Sequence, residues 1–149
     1  MAQEHFHSPN LDKFVGTWIY NKNGKELELT LRVVTKKVFN KNATIDALEG
    51  FHIYKINGKT IDNATERNEP SLFSGHVHDK TKPNVLTIFF SDVLKDKHGD
   101  ALITFVSGKP DKIAWVVTES EGLRLRKEGD PEFDRFFTIP DNVVLERKK

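Results

Sequence analysis

Residues 26–33, Glu26-Leu27-Glu28-Leu29-Thr30-Leu31-Arg32-Val33, alternate polar and apolar without a break. A period of two puts Leu27, Leu29, Leu31 and Val33 on one face of a β-strand, against a core, and the polar set on the other. The preceding Asn23-Gly24 suits a two-residue hairpin turn, where both central residues take positive φ. It predicts an antiparallel partner strand over 14–22. A second Asn-Gly, at 57–58, joins a longer strand over 44–56, bent or bulged at Gly50, to Lys59-Thr60-Ile61. Residues 62–71 read as a polar loop. Strands follow over 73–79, 84–93, 101–107, 112–118 and 123–127, with turn-forming residues at 80–83, 95–100, 108–111 and 119–122. The tail, 137–147, returns as a last strand, with Pro140 confining part of it to an edge or a bulge. Helix is restricted to single turns: Ser8-Pro9-Asn10-Leu11-Asp12, with Ser8 as cap and Pro9 at the first helical position, and Asp130-Pro131-Glu132-Phe133.

About eight to ten short strands joined mostly by hairpin-length connections predict an antiparallel meander. Closing the meander into an up-and-down β-barrel removes its exposed edges, which favours a barrel over a two-sheet sandwich. No repeat, low-complexity segment or linker divides the chain, so residues 1–149 are expected to form a single all-β barrel domain.

Composition agrees. Val, Ile, Phe, Thr, Tyr and Trp number 47 against 6 Ala, a balance that favours strands over helix. The net charge of +1 lacks the basic excess of a nucleic-acid binder, and Lys36-Lys37 and Arg147-Lys148-Lys149 are small clusters without a stacking platform. No apolar run reaches the roughly 18 residues of a membrane span. With no Cys in the chain, disulfides and Cys-ligated zinc are excluded. Ala2-Gln3 looks like the small-residue junction left by a removed signal peptide, so an extracytoplasmic location, periplasmic or cell-surface, is expected. An ordinary cytoplasmic start is the alternative.

Phe14-Val15-Gly16-Thr17-Trp18 follows a helical turn and opens the first strand. This Phe-x-Gly-x-Trp pattern resembles the start of the lipocalin and fatty-acid-binding-protein (calycin) superfamily. The likeness is strongest to small lipocalin-like proteins exported by bacteria. The resemblance implies a barrel whose narrow end is plugged by Trp18, with an Arg from a late strand over the indole. Arg124, Arg126 and Arg147 are the candidates. The chain departs from fatty-acid-binding proteins in having a tight hairpin at Asn23-Gly24 where those have two lid helices. It departs from typical lipocalins in having no helix after its last strand.

Chemistry-bearing motifs are sparse. His76-Val77-His78 sets two imidazoles on one side of a strand, the weak metal candidate of the chain. The Glu that would complete a cupin-like set is missing at 81–83, and we read both His as solvent-facing. His5-x-His7 lies in a terminus expected to fray. No metal, no cofactor and no zinc-dependent stabilisation are therefore expected. There is no Gly-x-Ser-x-Gly elbow and no phosphate loop, and the acidic residues fall in turns or on wet strand faces. The sequons at Asn42 and Asn63 are read as coincidental.

The expected function is accordingly a non-enzymatic, lipocalin-like barrel that binds a small apolar ligand. Face assignments from alternation give an interior lined by Trp18, Leu29, Leu31, Phe51, Ile53 and Trp115. The adjacent Phe89 and Phe90 must point opposite ways, one of them outside the barrel. The alternative is a solid-cored interaction module docking on a larger extracytoplasmic assembly through exposed Phe73, Phe133 and Phe136. A barrel-based enzyme is a third reading. It would need polar side chains converging inside the barrel, which the alternation does not show.

Overall fold

The computed structural model describes residues 4–38, 42–74, 81–119 and 137–148. The expected strands 123–127, the turn 130–133 and most of 73–79 lie outside them. Ten strands are described: β1 (Glu4–Phe6), β2 (Gly16–Lys22), β3 (Lys25–Lys37), β4 (Ala43–Ile56), β5 (Lys59–Asn63), β6 (Leu72–Phe73), β7 (Val85–Asp92), β8 (Lys97–Val106), β9 (Lys109–Glu119) and β10 (Asn142–Arg147). The sheet runs β4-β3-β2-β10-β9-β8-β7-β6 and closes where β6 pairs with β4. This is the antiparallel up-and-down barrel, with eight strands in the ring. Two further strands sit outside it. β5 folds back on the end of β4, and β1 lies parallel to its start.

Local chemistry explains the frame. Asn23, Gly24, Asn57 and Gly58 all have positive φ, as Asn-Gly hairpins require. Leu27, Leu29 and Leu31 are buried while Thr30 and Arg32 face out, so β3 keeps its predicted faces. Gly50 is no bulge, because the β3–β4 register runs through it unbroken. Instead the barrel wall has no room for a side chain there. A β-carbon at Gly50 would meet Leu31 Cδ2 at 2.6 Å and the Thr30 carbonyl at 2.8 Å. The irregularity falls between Tyr54 and Lys55, where β4 pairs with β5.

Four further expectations change. The helical turn expected at 8–12 is a 3-10 turn over Pro9–Phe14, which takes Phe14 out of the first strand, and the Ser8 side chain does not cap it; the Ser8 N–H donates to Asp46 instead. The polar loop 62–71 contains one helical turn, α1 (Ala64–Arg67), capped by the Asn63 side chain. Lys97–Asp100, read as a turn, begins β8. Only Asn142–Arg147 of the expected tail strand is strand; Phe137 and Ile139 turn inward and join the core. That segment is fastened by Asp92, which accepts from Thr138 N–H at 2.6 Å and Thr138 Oγ1 at 2.8 Å. The Trp115 indole N–H donates to the Pro140 carbonyl at 3.0 Å.

The barrel is thus stoppered at both ends. Leu11 and Phe14 of the 3-10 turn pack at one end, and Phe137 and Ile139 at the other. Between them Phe90 meets the rings of Trp115, Phe137 and His52 at 5.5–6.1 Å. Phe90 is fully buried and Phe89 is 44% exposed, as their adjacency required.

Candidate functional site

At the end closed by the 3-10 turn, antiparallel register sets Arg147 of β10 directly across from Trp18 of β2. The guanidinium carbon lies 4.2 Å from the centre of the indole ring. Its two terminal nitrogens donate to the carbonyls of Val15, at 2.8 Å, and Lys13, at 2.7 Å. The Trp18 indole N–H donates to the Phe14 carbonyl at 3.0 Å. Gly16 explains the third residue of the Phe-x-Gly-x-Trp pattern. Its φ is +132°, and a β-carbon there would approach Arg147 Nη1 to 2.9 Å. Of the three candidate arginines, Arg147 covers the indole; Arg124 and Arg126 lie outside the described residues.

Of the six residues expected to line the interior, Trp18, Leu29, Leu31 and Trp115 are fully buried in the core. Phe51 and Ile53 are on the wrong face. The register pairs Leu29 with His52 and Leu31 with Gly50, so the inward set of β4 is Leu48, Gly50, His52 and Tyr54. Phe51 and Ile53 lie outside with Thr30 and Glu28, half-buried, and the Arg32 guanidinium covers the Phe51 ring at 5.1 Å. A one-residue shift inverts a whole strand. Here apolar residues on both faces hid it.

The inversion places a polar cluster inside the wall. His52 is fully buried. Its Nε2 lies 2.7 Å from Asp62 Oδ2 and its Nδ1 2.6 Å from Ser71 Oγ. An ionised carboxylate only accepts, so Nε2 carries the hydrogen and the Ser71 hydroxyl donates to Nδ1. Arg67, from α1, pairs with the other oxygen of Asp62. Burial holds the His52 imidazolium down, below the ordinary histidine range, against the opposing pull of Asp62. Burial pushes the Asp62 carboxyl up, but hydrogen bonds from Arg67 and His52 outweigh it and leave the group below the usual carboxylate value. Serine, histidine and aspartate in one hydrogen-bonded row resemble the order of a nucleophilic triad. Ser71 is only 4% exposed, and its backbone knits the wall together: its N–H donates to the Gly50 carbonyl and its carbonyl accepts from Ser91.

Among the described residues, a cleft opens at each end of the barrel. The larger, about 490 Å³, lies at the Trp18 end, with Lys13, Asn84, Phe105, Val106, Lys109 and Arg147 among its lining residues. Lys13 Nζ donates to Asn84 Oδ1 at 2.6 Å and sits 5.5 Å from the centre of the Phe105 ring. Phe105 in turn meets the edge of Trp18. Among the described residues, three cations and no carboxylate line this cleft. The second, about 330 Å³, lies at the opposite end between Tyr20, Tyr54 and the segment 137–143. Neither is lined by Trp18, Leu29, Leu31 or Trp115.

One family's sequence pattern spans residues 1–148 of the chain. The chain belongs to DUF6705, a family of unknown function. No curated protein and no solved structure matches it.

Among the described residues, no histidine lines either cleft of this DUF6705 barrel. His76 and His78, the candidates from sequence, lie outside the described residues. Among the described residues, His5, His7 and Asp46 form a group able to hold an ion. The expected fraying of His5-x-His7 is not what the structure shows, because β1 pairs with β4 and ties the segment to the barrel. No helix among the described residues is long and apolar enough to cross a membrane.

Proposed function

We propose that this DUF6705 protein is a non-enzymatic, lipocalin-like binding barrel. Its ligand is a small molecule with an apolar body and an anionic group, held in the cleft at the Trp18 end. The observation that carries this is the lining of that cleft. Lys13, Lys109 and Arg147 surround Phe105 and Val106 in a volume of about 490 Å³, within the usual span of small-molecule sites. Positive charge with no carboxylate among the described lining residues favours an anion, and the Phe105 ring favours an apolar chain or ring. Kinship with lipocalins draws support from the ring of eight strands and from Arg147 over Trp18. The binding site differs from the interior pocket that the strand alternation suggested, where Trp18, Leu29, Leu31 and Trp115 pack in the core.

The test is titration of the full chain with an environment-sensitive fluorescent fatty acid. A saturable signal at micromolar protein is expected, displaced by the unlabelled acid. Lys109→Glu should weaken it roughly tenfold by reversing one charge of the cleft, and Lys59→Glu, on β5, should leave it unchanged. Absence of saturation, or equal binding by Lys109→Glu, contradicts the proposal.

A solid-cored interaction module is the second reading. Phe73 and Phe89 are directly paired across β6 and β7 and stay 38% and 44% exposed, with Leu102 exposed on the adjoining β8. Loss of a defined protein complex in Phe89→Ser, with the Lys109 variant unaffected, would favour it. Phe133 and Phe136, the other expected anchors, lie outside the described residues.

A further inference from the structure

We propose that His5, His7 and Asp46 form a site for one divalent transition-metal ion of the zinc type. The placement follows from strand geometry. β1 lies parallel to β4 with His5 opposite Thr44. Side chains two apart on a strand share a face, so Thr44 and Asp46 project to the side of His5, and His7, one residue past β1, reaches the same Asp46. One ligand atom from each of His5, His7 and Asp46 falls within 4.8 Å of the others. Ligands about 2.0–2.2 Å from a tetrahedral ion lie roughly 3.3 Å apart, a spacing these side chains reach by small rotations.

Both imidazoles already meet the Asp46 carboxylate. His5 Nε2 lies 2.8 Å from Asp46 Oδ1, and His7 Nδ1 contacts Oδ2. Asp46 is fixed from behind: its side chain is 8% exposed and it accepts from the Ser8 N–H at 2.9 Å. Thr44 Oγ1 lies 2.6 Å from His5 Nδ1. A hydroxyl both donates and accepts. With no ion it donates to Nδ1, and Nε2–H points at Asp46. With an ion bound it accepts from Nδ1–H, which frees the Nε2 lone pair for the metal. Thr44 is thus a positioning residue that permits the tautomer exchange without any net change of charge on the ring.

Two imidazoles and one carboxylate suit zinc, cobalt or nickel better than magnesium or calcium, which take oxygen ligands. His5 and His7 are 42% and 63% exposed, so an ion here keeps positions open to solvent. Such a site is exchangeable, and it also staples β1 to the barrel.

The test is calorimetric titration of the untagged, chelator-treated full chain with ZnCl2, with melting temperature and Co2+ absorption as further readouts. One equivalent should bind, raise the melting temperature and give a visible Co2+ band. His5→Ala and His7→Ala should each weaken binding by at least about tenfold, and Thr44→Val by about 10–100-fold. The double variant His76→Ala/His78→Ala should bind as the parent does. The wild-type Co2+ band stands whether or not any variant folds. Failure of wild type to bind, binding that survives loss of both His5 and His7, or binding lost with His76 and His78 would each overturn the site.

Discussion

Arg147 stacks on Trp18 at 4.2 Å while its two terminal nitrogens hold the carbonyls of Val15 and Lys13. One side chain therefore ties the last strand to the loop that enters the first. Arg147→Ala removes a stacked cation and two charge-assisted hydrogen bonds, for an expected loss of about 2–3 kcal/mol. Arg147→Lys should recover only part of this, since a single ammonium cannot hold two carbonyls and cover the ring together. Urea unfolding of the three proteins checks it.

Gly16→Ala should destabilise by about 1–3 kcal/mol, because position 16 has positive φ and the new methyl enters the space of Arg147. The two effects share one cause. In a double-mutant cycle with Arg147→Ala the losses should be less than additive. Additivity would mean that Gly16 serves only its own backbone.

Burial lowers the affinity of His52 for a proton in the folded chain, below the ordinary value of 6.5. As pH falls through 6.5, the unfolded chain gains a proton that the folded chain refuses. This contribution to stability is complete above 6.5 and is lost toward the folded pKa, with a slope of up to about 1.4 kcal/mol per pH unit. Asp62 adds acid sensitivity lower down. Its contribution is present above its ordinary 3.8 and is lost as pH falls through the depressed folded value. The stability of the parent relative to His52→Asn should therefore shrink between about pH 7 and pH 5. A difference that widens toward acid would show His52 to be charged in the fold.

Ser71 donates to a buried histidine but is itself enclosed by the wall. A fluorophosphonate probe should leave it unmodified in the native protein. Stoichiometric labelling, abolished by Ser71→Ala, would revive the barrel-based enzyme and displace the binding reading.

The meander was legible because residues 26–33 of β3 alternate strictly and Asn-Gly marks the β2–β3 and β4–β5 hairpins; both are local signals. The closing pair was legible only as a choice among arginines, since register across 129 residues of chain, from Trp18 to Arg147, leaves no local trace. β4 was misread because Phe51 and Ile53 look like core while His52 looks exposed. The partners that let His52 sit inside, Asp62 and Ser71, lie 10 and 19 residues further on. Lys97–Asp100 has turn composition, yet Gly99 is needed within β8 because a β-carbon would strike the Phe137 ring at 2.7 Å. The His5–His7–Asp46 group was hidden for a similar reason: it depends on a parallel pairing between chain segments 39 residues apart.

The chain has two tryptophans, whose indole N–H groups bond to Phe14 at one end of the barrel and Pro140 near the other. Their ¹⁵N–¹H resonances during titration with a medium-chain fatty acid locate the ligand most directly. Occupation of the cleft floored by Phe105 should shift the Trp18 indole signal together with the amides of Val106, Gly108 and Lys109, and leave Trp115 in place. A shift of Trp115 with the cleft amides unmoved, or no shift at all, would contradict a binding site at that end.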